Sequence, residues 1–361
     1  MDDRWLTHGQ LITPRGVGEG AVRVARGRIA AIRARAPRGA QAISVRGAYV
    51  APGFIDLHVW GDPRVVAREA IRSGTTAFLT TLGPESPARL LRDAAARAQA
   101  VGKTDGAACL GLHLEGPFLN PARGGALPKR WMRRPAATEL GRLAQGAGGV
   151  LRLLTLAPEL RGATEAIRWC ARRGVVASLG HSDATAAEAL EAIDAGASAV
   201  THVFNGMTPF HHREPGLLDV ALTDPRLTAM AILDGVHISA HAFRLLLRAK
   251  GPDRVALVTD SIRHEGWSVI RRRGAYYTAG GVLAGSGLTM IRAVRNAVAS
   301  GGASVAEAVR MASTTPARLL GLARSRGTLE PGKRADLVVF DQNFQICLTI
   351  VGGTIASQRG M

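Results

Sequence analysis

The feature that most constrains the fold is an alternation of short apolar runs and longer amphipathic stretches across the middle of the chain. Stretches such as SPARLLRDAAARAQAVG and AAEALEAIDAGA have the period of helices, whereas the apolar runs have the length of strands. Eight runs are strand candidates: VAPGFIDLH, TTAFLTTLG, ACLGLHLEG, LRLLTLAPE, VVASLGH, SAVTHVFN, TAMAILDG and RVALVTDS. Eight strands that alternate with helices predict an α/β fold, a TIM-like (β/α)8 barrel of about 250 residues.

A doubly wound open sheet is the structural alternative. Such sheets often carry a G-x-G-x-x-G turn after the first strand, and none follows the first strand here. The barrel is therefore the favoured prediction.

The two ends of the chain differ from its middle. Residues 1–50 and 327–361 alternate short apolar stretches with glycine, which is typical of β-hairpins. Chain termini often lie close together in a fold. We therefore expect both ends to form one small β-sandwich domain, with residues 51–326 inserted as a hydrolase barrel.

The bulk composition is that of a protein of the cytoplasm. No apolar run approaches the ~18 residues of a membrane helix, and MDDRWLTHGQ lacks the regions of a signal peptide. The three cysteines are scattered, which predicts a reducing compartment without disulfides. We expect a cytoplasmic protein with no membrane partner.

The net charge of +18 comes almost entirely from arginine, since the chain has only four lysines. Such a charge suits either a surface that binds polyanions or solvated helix faces rich in arginine. The arginines are dispersed and few aromatic residues lie among them for base stacking. The second interpretation is favoured, and no specific nucleic acid partner is expected.

Polar side chains gather at the ends of the predicted strands. They are His58, Thr81, His113, Glu115, His181, His202 and Asp260, with Asp234 and His237 just after the seventh strand. The carboxyl ends of barrel strands meet at one mouth, where active sites of this fold lie. Imidazole and carboxylate groups there suit Zn²⁺ or another borderline divalent ion.

Two histidines and a glutamate with an open position would make a catalytic metal site rather than a structural one. A metal in such a site lowers the pKa of bound water to about 7. A nearby carboxylate, for which Asp260 is the candidate, could accept the proton and return it to a leaving group. These residues alone predict metal-assisted hydrolysis.

A specific resemblance extends over most of the chain. HLEGPFLNPARGGA, GHSDAT, THVFNGMTPFHHREPG, DGVHI, LVTDS, LAGSGLTM and PGKRADLVVFD occur in this order. Together they resemble the N-acetylglucosamine-6-phosphate deacetylases of the amidohydrolase superfamily. HLEGPFLN followed by THVFNGM is the most specific part, whereas PGKRADLVVFD is common to many amidohydrolases.

The resemblance implies roles for individual residues. Glu115, His181 and His202 match the ligands of the divalent metal, Asp260 matches the catalytic acid and base, and His237 matches the residue that polarises the amide carbonyl. The positions that match substrate contacts are Ala126, Asn205, Gly206, Arg213, Asp234, His237, Leu283, Ala284 and Gly285. Arg213 would bind the sugar phosphate, and the family implies a homodimer.

The first strand departs from the superfamily pattern. Amidohydrolases with two metals usually carry His-x-His there, and this chain has His58 but Trp60 in place of the second histidine. An indole has no lone pair for a metal. We therefore expect one tightly bound ion, most simply Zn²⁺, with His58 as a ligand or close neighbour and a second site that is weak or absent.

Two segments are shorter than is usual in the family. WGD leads directly into the helix PRVVAREAIRSG, and only SIRHEGWSVIRRRGAYYTAGGV separates Asp260 from LAGS. Loops at this end of a barrel determine specificity, so the pocket should be more open or differently shaped. His8, His241 and His264 belong to no motif and are interpreted as solvated.

The combined prediction is a metal-dependent deacetylase that converts N-acetylglucosamine 6-phosphate, or a close N-acetyl amino sugar phosphate, to amino sugar phosphate and acetate. One alternative is a related amidohydrolase that acts on another N-acyl sugar or a cyclic amide. Another is a non-catalytic homologue that binds sugar phosphates. Metal content distinguishes the last from the enzymes.

Overall fold

The computed structural model describes residues 3–263 and 268–359, so His264 lies outside the described residues. The strands are β1 (Arg4–Thr13), β2 (Gly16–Ala25), β3 (Arg28–Arg33), β4 (Ala42–Ser44), β5 (Tyr49–Pro52), β6 (Phe54–Gly61), β7 (Thr75–Leu82), β8 (Ala108–Glu115), β9 (Leu151–Leu156), β10 (Val176–Leu179), β11 (Ala199–Val200), β12 (Thr228–Ala231), β13 (Val255–Leu257), β14 (Ser261–Arg263), β15 (Val269–Arg272), β16 (Ala275–Thr278), β17 (Leu283–Ser286), β18 (Leu337–Phe340), β19 (Ile346–Val351) and β20 (Thr354–Gln358). The helices are α1 (Pro63–Ala70), α2 (Pro87–Ala98), α3 (Ala137–Gly146), α4 (Ala163–Arg172), α5 (Ala186–Asp194), α6 (Leu217–Thr223), α7 (Ala240–Lys250), α8 (Met290–Ala299), α9 (Val305–Val309) and α10 (Thr315–Leu319).

The barrel prediction is confirmed. Strands β6 to β12 pair in parallel in chain order, and each overlaps one of the predicted runs, although β6 continues to Gly61, beyond the end of its run at His58. The eighth run is broken: β13 pairs with β12, whereas β14 pairs with β6. This last pairing closes the ring, which an open doubly wound sheet would not do. Asp260 lies in the break, between the two halves of the last strand.

The two ends of the chain form one sheet, as the hairpin texture predicted. Its order is β20-β19-β18-β5-β1-β2-β3, with β4 paired to β1, and its apolar side chains form a separate core. The domain boundaries at residues 50 and 327 stay a prediction. Strand β5 pairs with β1 and β18, so residues 51 and 52 also belong to this sheet.

The first barrel strand passes directly into a helix, as its sequence predicted. Asp62 alone separates β6 from α1, and its side chain caps the helix by accepting hydrogen bonds from the backbone N–H groups of Arg64 and Val65. Proline at the first helical position also favours a helix start here. No covering loop therefore follows Trp60 on this side of the barrel mouth.

Within the described ranges, no helix is both long enough and apolar enough to cross a bilayer.

Candidate metal centre and active site

Three buried side chains from different strands converge on one point at the barrel mouth. Nε2 of His181 lies 2.9 Å and Nε2 of His202 lies 2.8 Å from the same oxygen, Oε1 of Glu115. The two histidine nitrogens are 3.1 Å apart, and one candidate ligand atom from each residue lies within 4.8 Å of the others. The predicted ligands are therefore brought together.

These atoms fit a divalent cation. Two imidazole nitrogens and a carboxylate oxygen are ligand types that Zn²⁺ accepts at about 2.0–2.2 Å. Two ring nitrogens at 3.1 Å would repel each other if both carried hydrogens, but not if both directed lone pairs at one cation. The donor set and its spacing thus fit the expected metal.

The backbone is unusual at the ends of these strands. The backbone φ values of His181, His202 and Asp260 are +50°, +29° and +49°. They lie in the left-handed region, which residues other than glycine rarely adopt. Such conformations cost about 1–3 kcal/mol each and persist where the surrounding structure enforces them. Three of them at one barrel mouth mark this region as the functional site.

A loop after β8 orients one of the ligands. Nδ1 of His181 lies 2.8 Å from the backbone carbonyl oxygen of Arg123, so Nδ1 carries the hydrogen and Nε2 keeps its lone pair. This arrangement is common for histidines that bind metals. Gly206 packs against the same pair: a Cβ there would lie 2.9 Å from Nδ1 of His181. The need for glycine at this position follows from that close approach.

Glu115 is ionised despite its burial. Burial alone would raise its pKa, but the charge of His58 and the close approach of ring nitrogens of His181, His202 and His58 together hold the pKa of Glu115 well below its ordinary value. Burial also acts to lower the pKa of His58, yet Glu115 and Asp260 raise it to about 9. The centre is therefore a site in which carboxylates attract positive charge.

His58 lies beside the three candidate ligands. Its Nε2 is 3.2 Å from Oε2 of Glu115, the oxygen that His181 and His202 do not contact, and 3.2 Å from Oδ1 of Asp260. It therefore connects the metal ligands to the predicted acid and base. Its role as a ligand stays a prediction.

The predicted catalytic carboxylate is held at the break in the last strand. The backbone N–H of Asp260 donates to the carbonyl oxygen of His58, and its own carbonyl accepts from Ser286. Its side-chain Oδ1 accepts a 2.8 Å hydrogen bond from Nε1 of Trp60. Asp260 thus lies within reach of the metal ligands, as its assignment requires.

His237 is fixed by Asp234. Oδ2 of Asp234 accepts from Nδ1 of His237 at 2.7 Å, and its other oxygen accepts two backbone N–H groups. Burial would raise the pKa of Asp234, but the hydrogen bonds and charge of His237 outweigh it and lower that pKa. Asp234 is therefore an ionised partner of His237, and its predicted contact with substrate stays a prediction.

His113 is held away from the metal. Its Nδ1 donates to the carbonyl oxygen of Leu57, and its Nε2 is 2.8 Å from the hydroxyl of Thr155. Burial lowers the pKa of His113 well below its ordinary value, so the ring is neutral. Its edge packs against the ring of His58, with centroids 4.5 Å apart. Both of its ring nitrogens are engaged by these contacts, and the ring supports His58.

A cavity of about 250 Å³ opens onto the metal ligands. Most of the predicted substrate contacts line it: Ala126, Asn205, Gly206, His237, Leu283, Ala284 and Gly285. The sequence did not single out Gly125, Leu127 or Val282, which also line it, although each is adjacent to a residue that it did. Trp60 also lines this cavity. The sequence indicated only that this position lacks a metal ligand.

Arg213 lies elsewhere. It is exposed in the segment between β11 and α6, and it is not among the residues that line the cavity. His211 and His212, which precede it, belong to the same surface segment. The phosphate contact of Arg213 therefore stays a prediction.

Glu159 joins the loops around the site, a role that the sequence did not reveal. Its carboxylate accepts hydrogen bonds from the amide of Asn120, the hydroxyl of Ser182 and the backbone N–H of Asp183, at 2.9, 2.7 and 2.8 Å. Its position at the end of the predicted strand run LRLLTLAPE was the available signal. Glu159 braces the loop that contains Arg123 against the end of β10, where His181 follows.

Comparisons with known proteins agree with this geometry. The amidohydrolase family model matches residues 49–356. The chain is 37% identical to the N-acetylglucosamine-6-phosphate deacetylase of Bacillus subtilis over 84% of each chain. It is 36% identical to the N-acetylgalactosamine-6-phosphate deacetylase of Escherichia coli O157:H7, over 96% of this chain and 98% of that one.

A solved structure is similar over nearly the whole chain. It is a mutant of the N-acetyl-D-glucosamine-6-phosphate deacetylase of Mycobacterium smegmatis, with one aspartate replaced by alanine, in complex with N-acetyl-D-glucosamine-6-phosphate. The TM-score is 0.90 at 34% identity, and the match covers 99% of this chain and 100% of that one.

Proposed function

Because this chain belongs to the amidohydrolase family, and within it to the N-acetylglucosamine-6-phosphate deacetylases, we propose that it hydrolyses the acetamido group of an N-acetyl amino sugar 6-phosphate. Water adds to the carbonyl carbon, the C–N bond breaks, and amino sugar phosphate and acetate are released. The observation that supports this proposal best is the convergence of Glu115, His181 and His202, with Asp260 and His237 on the same cavity.

Glu115, His181 and His202 would hold the metal. A divalent ion in this position supplies a Lewis acid for the carbonyl oxygen and a lower pKa for water. We infer a single Zn²⁺, because two imidazoles and one carboxylate suit this ion. The protein would act in the cytoplasm.

Asp260 and His237 would act on the substrate directly. Asp260 accepts a proton from water as the carbonyl is attacked, and later donates it to the amine nitrogen as the C–N bond breaks. His237 donates from Nε2 to the carbonyl oxygen, where negative charge develops. Since its Nδ1–H already donates to Asp234, the ring must then carry both protons, and the ionised Asp234 supplies the counter-charge.

Release of acetate and of free amine tests the proposal. Zn²⁺-loaded enzyme is incubated with N-acetylglucosamine 6-phosphate and with N-acetylgalactosamine 6-phosphate, the substrate classes named in the two relatives. Asp260→Asn should lower kcat by about 10²–10⁴-fold, the usual contribution of a general acid or base. Asp253→Asn, which affects a surface ion pair with Arg318, should leave it unchanged. Absence of turnover on both substrates would contradict the proposal.

A second candidate, an N-acyl sugar without phosphate, is favoured by one observation. Arg213, the residue expected to bind phosphate, is exposed and outside the cavity lining. For the first candidate, we infer that a homodimer completes the phosphate site. In that case phosphorylated substrates are strongly preferred, and the protein elutes as a dimer in size-exclusion chromatography with light scattering. Equal kcat/KM for phosphorylated and plain substrates would favour the second candidate.

A further inference from the structure

Trp60 stands where a metal ligand would stand in a two-metal site. In a strand, residues two apart lie on the same face, so residues 58 and 60 both face the barrel interior. The space between His58, residue 60 and Asp260 is therefore where a His-x-His pair would hold a second cation. In this protein an indole N–H occupies that space.

The indole contacts the catalytic carboxylate. Nε1 of Trp60 donates to Oδ1 of Asp260 at 2.8 Å, and Nε2 of His58 lies 3.2 Å from the same oxygen. Both contacts are made to Oδ1. Because the indole N–H donates to Oδ1, proton exchange with the substrate falls to Oδ2. A second cation bound to Asp260 would fix the carboxylate in a similar way.

The donor is held rigidly. Trp60 pairs with Thr81 on one side and with Ile262 on the other, so its backbone lies between two strands. Its side chain is buried, and its ring packs on Gly83, where a Cβ would lie only 3.0 Å from Cη2 of Trp60. The indole N–H therefore has little freedom to leave Asp260.

We propose that Trp60 is a positioning residue that replaces a second metal ion. Its N–H holds the Asp260 carboxylate in the orientation needed for proton transfer, and its ring fills the space in which a second cation would bind. The kinetic part of this inference rests on the proposed deacetylase function. The part that concerns the number of metal ions does not.

The first experiment counts ions. Wild-type protein and Trp60→His are saturated with Zn²⁺, freed of excess by gel filtration and analysed by mass spectrometry for metal per chain. We expect about one ion per chain in the wild type and close to two in Trp60→His, because the histidine restores the lone pair that the indole lacks. Two ions in the wild type, or one in Trp60→His, would overturn the proposal that Trp60 excludes the second ion.

The second experiment removes the hydrogen bond and keeps an aromatic ring. Trp60→Phe should retain one ion per chain and lose about 10–100-fold in kcat, with KM changed less than about twofold, because the carboxylate is misplaced while the sugar contacts remain. An unchanged kcat would overturn the positioning role. Trp131→Phe is the matched control, since among the described residues Nε1 of Trp131 has no hydrogen-bond partner.

A third variant leaves the candidate metal ligands and residue 60 unchanged in sequence. In Gly83→Ala the new methyl group must displace the indole ring by a few tenths of an ångström. We expect a smaller loss of kcat than in Trp60→Phe, with metal content unchanged. If Trp60→Phe does not fold, this variant still decides the positioning role: an unchanged kcat with the ring displaced would overturn it. Failure of all variants and of the wild type to release acetate would instead contradict the proposed function.

Discussion

Nδ1 of His237 lies 2.7 Å from Oδ2 of Asp234, while two backbone N–H groups donate to Oδ1 of the same carboxylate. Asp234 thus fixes the position of the His237 ring and accepts the hydrogen of Nδ1. The other nitrogen, Nε2, is left for the substrate. Since His237 lines the cavity, this pair determines which hydrogen is presented to a carbonyl oxygen there.

Replacement of Asp234 by asparagine should therefore impair catalysis without affecting the metal. Asp234→Asn removes the charge that balances a doubly protonated His237 ring, and we expect kcat to fall about 10²–10³-fold, as for the loss of one oxyanion donor. Steady-state kinetics and metal analysis of the same preparation measure this. Asp224→Asn, in an ion pair with Arg226, is the control. A normal kcat in Asp234→Asn would show that His237 does not depend on this partner.

Gly206→Ala should weaken metal binding. The new Cβ would lie 2.9 Å from Nδ1 of His181 and 3.3 Å from the carbonyl oxygen of Arg123, at a backbone φ of +62° that alanine disfavours. The hydrogen bond from Nδ1 of His181 to the carbonyl oxygen of Arg123 orients the His181 ring. Because the new methyl group would disturb it, we expect a loss of about 10–100-fold in metal affinity. Competition with a chromogenic chelator measures it.

Gly141→Ala provides the comparison for that experiment, since nothing lies within 4 Å of the corresponding Cβ in α3. Its metal affinity should equal that of the wild type. Equal affinities in all three proteins would mean that the Arg123 carbonyl does not orient His181.

Phe340→Ala should destabilise the contact between the small sheet and the barrel. Phe340 is fully buried. The centroid of its ring lies 5.3, 6.3 and 5.7 Å from the ring centroids of Tyr49, Phe54 and Phe344. Truncation of a buried phenylalanine costs about 3–5 kcal/mol of unfolding free energy. Denaturant unfolding of the metal-free protein measures the change. Phe210→Ala, whose side chain is 59% exposed, should change it by less than about 0.5 kcal/mol.

The cysteines should differ in reactivity in the native protein. Burial raises the pKa of the Cys109 thiol to about 11 and that of Cys170 to about 12, so almost no thiolate exists there at pH 8. Burial also raises the pKa of Cys347, but this residue is only partly buried. A disulfide reagent at pH 8 should modify Cys347 first.

Cys109 and Cys170 should react with the reagent only after unfolding in denaturant, and the rate at Cys347 should rise with pH as its thiolate fraction rises. Peptide mapping by mass spectrometry assigns the modified sites. Rapid modification of Cys170 in the folded protein would contradict its burial against the barrel core.

Much of the barrel and of its metal centre could be predicted from local sequence. Glu115, His181 and His202 each stand at the end of an apolar run, and parallel strands that alternate with helices must bring such ends to one mouth. The order of the strands followed for the same reason, because each helix crossover places the next strand beside the last. The predicted strand runs therefore indicated that these three side chains converge, without any knowledge of distances.

Other relationships lie between residues that are distant in the chain. Trp60 and Asp260 are 200 residues apart, and their hydrogen bond depends on the pairing of β14 with β6 after the break in the last strand. The exposure of Arg213, likewise, was not visible in its motif. A motif records which residue type occurs, but not which way the folded loop directs it.

The sequence by itself determined the class of fold, the candidate metal-binding side chains and the missing histidine at position 60, because periodicity and residue chemistry are local properties. Only the tertiary structure decided what that tryptophan does. Closure of the barrel brings its N–H to Asp260, and the direction of a hydrogen bond depends on the three-dimensional positions of both partners.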